Sequence, residues 1–308
     1  MRMEKTTDGL VAWAPAKLNL SLRILAKRPD GFHEIETVMV SIQHYDTLQF
    51  ARRMDGEIRL RCEDLIPRQT LQSPKSAGSF PASIPEDDTN LVVRAARLLK
   101  EYAGSDQGVQ VLLQKRIPAA AGLAGGSSDA ATTLAALNKL WNLRLSLEEL
   151  CQLAAKLGSD IPFFLCGEAM AVCRGRGELI EPWALTETLW FVVAKPEEGL
   201  STARVYQHCR PTHDSPAVAP LLAHLAAGNQ WGAAHALHNG LQAAALELCP
   251  AVRQLEAEFA KLDVLAHQMS GSGTAYFGWC ANQAAANHAA ARLTAKGLGQ
   301  VFVACSGV

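Results

Sequence analysis

The small residues at positions 118–129 have the composition of a phosphate-binding loop. They follow an apolar, β-prone run at 109–113 and lead into a helical pattern that reaches Trp141. The first amides of a helix lack internal partners and carry partial positive charge, so this arrangement favours phosphate binding. A tight turn with close helix packing would have the same composition, and both interpretations stay open at this point.

The loop lacks the cation that many phosphate-binding loops carry. No Lys follows its glycines, so it is not a Walker A motif, and its spacing is not that of the Gly-x-Gly-x-x-Gly fingerprint. Ser127, Ser128 and Asp129 add hydroxyls and a carboxylate that can cap the helix or reach a metal-bound phosphate. A cation that neutralises phosphate must therefore come from another part of the chain.

An alternating pattern from Lys17 to Ile24 predicts a β-strand. Its leucines and Ile24 face one way, and the other face carries Lys17, Asn19, Ser21 and Arg23. A half-solvated strand is the default interpretation of such a pattern. Lys17 and Asn19, two residues apart on one face, can also line a cleft and bring a cation and an amide to the same place.

Asp160 is a candidate general base. A capping box formed by Ser146 and Glu149 begins a predicted helix that ends at Gly158. The proline at 162 disfavours helical angles at the preceding residue, so we expect Asp160 to lie in a loop beyond the helix. A carboxylate there can act as a base, or it can be a turn residue that bonds its own backbone.

Phe32 and His33 follow a turn of the Pro-Asp-Gly type at residues 29–31. They begin a second predicted strand, which runs to about Ile42. An exposed aromatic ring beside a His can stack on a flat ligand, or it can simply cover the end of the hairpin. From the residues alone, the structural interpretation is the stronger of the two.

Composition and charge limit the class of partner. The chain has 308 residues, enough for two domains, and its 49% hydrophobic and 19% charged residues are typical of a well-packed globular protein. A net charge of -1 gives no long-range field for nucleic acid or an anionic membrane, so we expect a small-molecule partner. No apolar run could cross a bilayer and the N-terminus lacks a signal-peptide core, so we expect a cytoplasmic protein.

The cysteine and histidine patterns predict no metal site. The eight cysteines are scattered without Cys-x-x-Cys spacing, which is typical of small buried hydrophobic residues in a reducing compartment. His235 and His238 lie three residues apart on a predicted helix, but no further ligand pattern accompanies them.

The remaining elements follow in irregular order. We predict further strands at 46–51, 189–194, 275–279 and 300–304, and helices at 89–102, 218–226, 231–246, 251–262 and 282–296. Residues 52–88 are mostly loop, with an insertion at 72–83, and a second small-residue loop lies at 269–274. Strands and helices without regular βαβ repeats predict an α+β fold. We place the domain boundary after residue 168, which gives domains 1–168 and 169–308.

Three features together predict phosphoryl transfer to an alcohol. They are a phosphate loop without a Lys, a strand that carries Lys17 and Asn19, and a loop carboxylate at Asp160. Such a transfer needs a cradle for the triphosphate, a cation near the moving phosphoryl group and a base that orients the hydroxyl. Direct transfer needs no covalent enzyme intermediate, which agrees with the missing nucleophile motif.

Several segments resemble the GHMP kinases, the superfamily of galactose, homoserine, mevalonate and phosphomevalonate kinases. The loop Pro118-x-x-x-Gly-Leu-Ala-Gly-Gly-Ser-Ser-Asp129 resembles their phosphate loop. Residues 14–20, 28–34 and 157–162 resemble one branch of this superfamily, whose substrate is a methylerythritol joined to cytidine diphosphate. Further matches lie at 90–92, 201–202 and 269–273, so the resemblance covers most of the chain.

The resemblance implies the two-domain GHMP kinase fold. The N-terminal domain would resemble domain 2 of ribosomal protein S5, and the C-terminal domain would be a ferredoxin-like α/β sandwich. ATP would be the phosphoryl donor with Mg²⁺, and the acceptor would be a small molecule that carries cytidine diphosphate. We expect a monomer or a weak homodimer that binds neither nucleic acid nor membrane.

The resemblance also implies a role for each matching residue. Asp160 would take the proton from the C2 hydroxyl, Lys17 would keep Asp160 ionised and counter charge on the γ-phosphoryl group, and Asn19 would orient the hydroxyl. His33 would hydrogen-bond the cytosine and Phe32 would stack on it, while residues 271–274 would border the site. The residues that would wrap ATP are Pro118, Ala119, Ala120, Ala121, Gly122, Leu123, Ala124, Gly125, Gly126, Ser127 and Ser128.

The chain departs modestly from the family pattern at three places, and two alternative functions stand beside the expected one. Position 32 is Phe where the family usually has Tyr, alanines occupy 119–121 where it has glycines, and the insertion within 52–88 is longer than expected. A GHMP kinase for a small alcohol is one alternative, although it would not need the ring at Phe32. A catalytically silent sensor is another, although it could dispense with Lys17 and Asp160, and this chain has both.

Overall fold

Two β-sheets and a set of helices make up the part of the chain that the computed structural model describes, residues 1–66, 84–210 and 216–308. The predicted insertion at 72–83 lies outside these residues. The strands are β1 (Met3–Lys5), β2 (Gly9–Lys27), β3 (His33–Arg53), β4 (Ile58–Asp64), β5 (Gly108–Lys115), β6 (Met170–Gly175), β7 (Leu179–Trp183), β8 (Trp190–Lys195), β9 (His238–Asn239), β10 (Ala266–Met269), β11 (Tyr276–Cys280) and β12 (Gln300–Cys305). The helices are α1 (Leu91–Tyr102), α2 (Gly125–Leu140), α3 (Leu147–Leu157), α4 (Ile161–Leu165), α5 (Thr202–His208), α6 (Ala219–Ala226), α7 (Gln230–His235), α8 (Gln242–Leu248), α9 (Pro250–Phe259) and α10 (Gln283–Thr294).

The larger sheet is built around the long strands β2 and β3. Its main path runs β1-β2-β3-β5-β4, and β6 pairs with β3 beside the half that β5 leaves free. Helices α1 to α4 contribute apolar side chains to a core with this sheet, including Leu134 and Leu137 of α2. The phosphate loop lies between β5 and α2, so the sheet and the helix layer together fix its two ends.

The smaller sheet belongs to the C-terminal half and is antiparallel throughout. Its order is β10-β11-β8-β12, and α9 and α10 pack on it. Short strand β9 leaves this half and pairs in parallel with β2 of the larger sheet, next to the segment that carries Lys17 and Asn19. The two halves are therefore joined at the strand that carries candidate site residues.

The predicted alternation of β2 is wrong beyond Asn19. A β-bulge shifts the register between Asn19 and Ser21, so the residues after it change faces. Leu22 consequently lines the same cavity as Lys17 and Asn19, instead of sharing a face with Leu18. The default interpretation as a half-solvated strand is also wrong, because Lys17, Asn19 and Ser21 are all buried.

Other differences from the predicted elements have identifiable causes. The two strands predicted at 32–42 and 46–51 form one strand, β3, because β6 and β5 pair with its successive halves. The segment 52–88 contains β4, which pairs in parallel with β5. The helix predicted at 231–246 is divided into α7 and α8, because β9 pairs with β2 between them. Residues distant in sequence decide all three.

The predicted domain boundary after residue 168 precedes strands β6 and β7 of the larger sheet. Both strands still pair within that sheet, and the smaller sheet begins at Trp190. By sheet membership, the division therefore lies between Trp183 and Trp190. The boundary of a folding unit stays a prediction.

Candidate active site

One cavity of about 1310 Å³ is lined by most of the candidate residues. From the N-terminal half it includes Lys17, Asn19, Phe32, His33 and Asp160, together with most of the loop at 118–127. Gly271, Ser272 and Gly273 line it from the C-terminal half. Of the predicted nucleotide-binding residues, Leu123 and Ser128 do not line it, because Leu123 lies in the apolar core and Ser128 is fully buried within α2.

Lys17 and Asp160 face each other across the cavity. The Nζ atom of Lys17 lies 3.9 Å from Oδ2 of Asp160, and it also donates to the side-chain oxygen of Asn19 at 2.5 Å and the carbonyl of Gly122 at 2.9 Å. Lys17 is only 3% exposed, whereas Asp160 is 39% exposed. Burial lowers the pKa of the Lys17 ammonium, and the charge of Asp160 partly offsets this. The pair therefore combines a fixed, desolvated cation with an accessible carboxylate.

Asn19 has a fixed orientation in the site. Its amide nitrogen donates to Oγ1 of Thr37 at 2.8 Å, and Thr37 in turn donates to the carbonyl of Ser21 at 2.5 Å. The side-chain oxygen of Asn19 is thereby directed towards Lys17. Thr37 was not among the candidates, and its position opposite β2 depends on the β2–β3 register.

Asp160 lies in the turn between α3 and α4. The capping box that begins α3 is confirmed, since Ser146 and Glu149 exchange both hydrogen bonds. The expectation that the proline at 162 keeps Ile161 out of a helix is wrong, because α4 begins at Ile161. A proline in the first turn of a helix removes no intrahelical hydrogen bond, so it is tolerated there. Asp160 remains at the junction, immediately before this short helix.

The phosphate loop is held in an unusual backbone path. Ala120, Gly122 and Ala124 all have positive φ, and α2 begins at the next residue, Gly125. Ala124 stands at the N-cap and has no side chain that could cap the helix. The amides of the first turn are therefore free of a capping side chain at the N-cap, which suits an external anion.

The loop from the C-terminal half packs directly on the phosphate loop. A Cβ atom at Gly122 would lie 2.0 Å from the carbonyl oxygen of Ser270, and one at Gly271 would lie 3.3 Å from Nζ of Lys17. The hydroxyl of Ser270 donates to the carbonyl of Gly122 at 2.9 Å. Only glycine permits this approach, because a side chain at Gly122 would overlap the neighbouring backbone.

Sequence analysis did not identify a buried lysine that lies close to the phosphate loop. Lys115, the last residue of β5, donates to Asp129 at 2.7 Å and also bonds Asp46. Burial lowers the pKa of Lys115, but the two carboxylates outweigh this and raise it above the ordinary value. Asp129 thus serves an ion pair and does not cap the helix. Sequence analysis did not recognise Lys115 because it lies just before the loop, whereas the Lys of a Walker A motif follows the glycines.

One end of the cavity is lined by aromatic residues. Phe32 is 49% exposed, and the guanidinium carbon of Arg176 lies 4.7 Å from the centre of its ring. The ring of His33 lies 5.0 Å from that of Tyr206, on α5. Burial lowers the pKa of His33, with a smaller effect from Lys27. Tyr206 and Arg176 were not predicted, because they reach this end from elements distant in sequence.

The described residues contain neither a metal-binding cluster nor a membrane-spanning helix. Across the described ranges, no group of three or more His, Cys, Asp or Glu side chains could hold a metal ion. None of the helices in the same ranges is both long enough and apolar enough to cross a bilayer.

Comparison with known proteins places the chain in a family. Residues 90–168 match the family model "GHMP kinases N terminal domain", and residues 220–298 match "GHMP kinases C terminal". A relative from Shouchella clausii, named 4-diphosphocytidyl-2-C-methyl-D-erythritol kinase, is 40% identical over 266 residues, which cover 86% of this chain and 84% of the relative.

Solved structures agree with the sequence relatives. A crystal structure of 4-(cytidine 5'-diphospho)-2C-methyl-D-erythritol kinase is 34% identical, with a TM-score of 0.77 over 97% of this chain and 99% of that one. A homoserine kinase from Cytophaga hutchinsonii, 18% identical, has a TM-score of 0.73 over 100% and 97% of the two chains, which shows the shared fold. The predicted α+β, two-domain GHMP kinase fold is confirmed. The chain therefore belongs to the GHMP kinases, a family of ATP-dependent small-molecule phosphotransferases.

Proposed function

We propose that this kinase transfers the γ-phosphoryl group of ATP to the C2 hydroxyl of 4-diphosphocytidyl-2-C-methyl-D-erythritol. The products would be the 2-phosphate and ADP, in the non-mevalonate route to isoprenoid precursors. One observation carries this proposal: the Lys17–Asp160 pair, most of the loop at 118–127 and the residues Phe32 and His33 line a single cavity. The names of the relatives and of the 34% identical crystal structure support the choice of substrate.

Asp160 is the proposed general base. Its carboxylate is accessible in the cavity, and Oδ2 lies 3.9 Å from the Nζ atom of Lys17. The carboxylate would accept the proton of the C2 hydroxyl while the hydroxyl oxygen attacks the γ-phosphorus of ATP. The bond between the γ-phosphorus and the β–γ bridging oxygen would break, and ADP would leave. Asn19, whose amide is fixed by Thr37, would orient the same hydroxyl.

Lys17 is the proposed charge partner of the reaction. Its ammonium is held by two neutral oxygen atoms, from Asn19 and Gly122, and neither cancels its charge. A desolvated cation in a fixed position stabilises negative charge on the transferred phosphoryl group more strongly than a solvated one does. Because Gly122 belongs to the phosphate loop, Lys17 also links the base to the donor site.

The loop at 118–128 is the proposed site for the ATP phosphates, at the N-terminus of α2. Mg²⁺ would be held there mainly by phosphate oxygens and water, and the hydroxyl of Ser127, which lines the cavity, could serve as a further ligand. The buried Oδ1 atom of Asp129 has no partner within the described residues, which agrees with a polar ligand nearby. The ion would neutralise charge on the triphosphate.

Phe32 and His33 are proposed to bind the cytosine. Phe32 exposes about half of its side chain at the cavity, which suits stacking on a planar base. The lowered pKa of His33 favours the neutral imidazole at pH 7, which has one donor and one acceptor nitrogen for a base edge.

A coupled ADP-release assay tests this function. We expect turnover with 4-diphosphocytidyl-2-C-methyl-D-erythritol and background rates with homoserine and with mevalonate. Comparable turnover with homoserine or mevalonate would show that the cytidine platform does not select the substrate. Release of ADP without any phosphorylated product would show that the ATP site is functional but the assigned acceptor is wrong.

A further inference from the structure

We propose that Arg176 recognises the diphosphate of the cytidine-containing substrate, and this inference rests on the proposed function. Arg176 lies in the turn between β6 and β7 and lines the cavity. It would act as a specificity-determining residue that binds the acceptor and leaves the ATP site unaffected.

The turn that carries Arg176 reaches both ends of the acceptor site. At one end, its guanidinium carbon lies 4.7 Å from the centre of the Phe32 ring. At the other end, a Cβ atom at Gly177 would lie 3.8 Å from Oδ1 of Asp160. The proposed substrate has its cytosine at Phe32 and its reacting hydroxyl at Asp160, and the diphosphate joins these two parts. We therefore expect the diphosphate to lie beside this turn, between Phe32 and Asp160.

Arg176 forms an ion pair with Glu178 that holds the turn, and its side chain stays partly exposed. Glu178 accepts the backbone N–H of Arg176 at 2.6 Å, and its other oxygen lies 3.5 Å from Nε. The Phe32 ring supports the guanidinium by a cation–π contact, and the Arg176 side chain is 27% exposed. The outer nitrogens of a guanidinium so supported are suited to two parallel hydrogen bonds with phosphate oxygens.

The other cations that line the cavity are less suited to this role. Lys17 is bonded to Asn19 and the phosphate loop, and Lys115 is neutralised by two carboxylates. Lys27 also lines the cavity, where it pairs with His33 in the β2–β3 register at the proposed cytosine site. Arg176 is the cation in contact with Phe32, where the cytosine is proposed to bind.

Equilibrium binding of CDP and cytidine tests the inference, with the ATP site saturated by a non-hydrolysable ATP analogue. We expect wild-type protein to bind CDP more tightly than cytidine. In Arg176→Met the Kd for CDP should rise about tenfold, as expected for loss of a charge-assisted hydrogen bond, while the Kd for cytidine stays within twofold. Arg176→Lys should retain part of the preference for CDP, because it keeps the charge and loses the planar fork.

Arg174→Met is the matched control. Arg174 lies two residues away in β6 and pairs with Glu36 and Glu181, and it does not line the cavity. This variant should bind both ligands as wild type does. Equal weakening of CDP and cytidine in Arg176→Met would overturn the inference, since Arg176 would then only support Phe32, and so would a wild-type protein that does not prefer CDP. A wild-type preference for CDP that depends on Arg176, without turnover of the cytidyl substrate, would refute the proposed reaction and leave this inference intact.

Discussion

At the scale of single residues, the proposed charge partner Lys17 and the proposed base Asp160 differ in exposure. Lys17 is buried, and its ammonium is held by the oxygens of Asn19 and Gly122. The carboxylate of Asp160, 3.9 Å from this ammonium, is open to the cavity. A fixed cation keeps its full effect on a nearby charge, because no solvent has to reorganise during the reaction. The accessible carboxylate can meet an incoming hydroxyl without first leaving a strong ion pair.

The substitution Asp160→Asn tests the base. The amide has the same shape but cannot accept the proton, so kcat should fall by about 10²–10⁴-fold, the usual contribution of general base catalysis. ATP affinity, measured by equilibrium binding, should stay within about threefold, because the phosphate loop is untouched. Ser159→Ala, in the same turn, is the control and should keep near-normal turnover. Near-normal kcat in Asp160→Asn would refute the assignment.

Replacing Phe32 by Ala tests the stacking platform. Loss of base–aromatic stacking should raise KM for the cytidyl substrate about tenfold and leave KM for ATP unchanged. Phe32→Tyr should behave as wild type, since it keeps the ring face. Steady-state kinetics with each substrate varied in turn gives both constants. An equal rise in both would mean that the ring only supports the local structure.

At the scale of elements, the phosphate loop depends on contacts at both of its ends. Before the loop, one carboxylate oxygen of Asp46 accepts hydrogen bonds from the backbone N–H groups of Arg116 and Ile117, at 2.5 and 2.9 Å. After it, Asp129 on α2 is tied to Lys115 on β5. Between these anchors, Gly122 packs on Ser270 from the C-terminal half. The loop is therefore shaped by β3, β5, α2 and the loop that carries Ser270, and not by its own sequence alone.

Two glycine substitutions separate folding from nucleotide binding. Gly122→Ala should lower the free energy of unfolding by about 2–4 kcal/mol, because its φ of +73° is unfavourable for alanine and its Cβ would overlap the Ser270 carbonyl. Gly126→Ala should keep stability, since its Cβ would meet only Leu91 at 3.7 Å. Denaturant unfolding and ATP binding measured on both variants provide the comparison. Stability of Gly122→Ala equal to wild type would contradict the close packing of the two loops.

At the scale of the whole molecule, the cavity is closed by both halves of the chain. Gln268 of β10 donates to the carbonyls of Asn19 and Leu20 at 2.8 and 3.1 Å, so the C-terminal half holds the bulge beside the site. Lys195 at the end of β8 and Thr274 both donate to the carbonyl of Glu198, which fixes the loop at 269–274. Site geometry therefore depends on the integrity of both sheets.

Lys195 predicts a pH dependence of stability. Burial lowers its pKa from 10.5 to about 8, so between these values the unfolded chain binds a proton that the folded chain lacks. The free energy of unfolding contributed by this group therefore rises with pH across that window, by at most about 3 kcal/mol. Urea unfolding gives the free energy of unfolding of wild type and of Lys195→Met. From pH 8 to pH 10 this free energy should rise for wild type relative to the variant. The difference should be constant between pH 6 and 7, and a constant difference at all four pH values would contradict the prediction.

The local chemistry of the sequence indicated the phosphate loop, the capping box of α3, most helices and the candidates Lys17, Asn19 and Asp160, and the family resemblance added the roles of Phe32 and His33. Glycine backbone freedom, caps and apolar periodicity act over a few residues, so they can be recognised without a partner. Tertiary structure decided the bulge in β2, the single strand β3, the division of the helix predicted at 231–246, and the positions of Lys115, Tyr206 and Arg176. Each of these depends on strand pairing or burial between residues far apart in the chain, and such contacts stabilise arrangements that local preferences do not select.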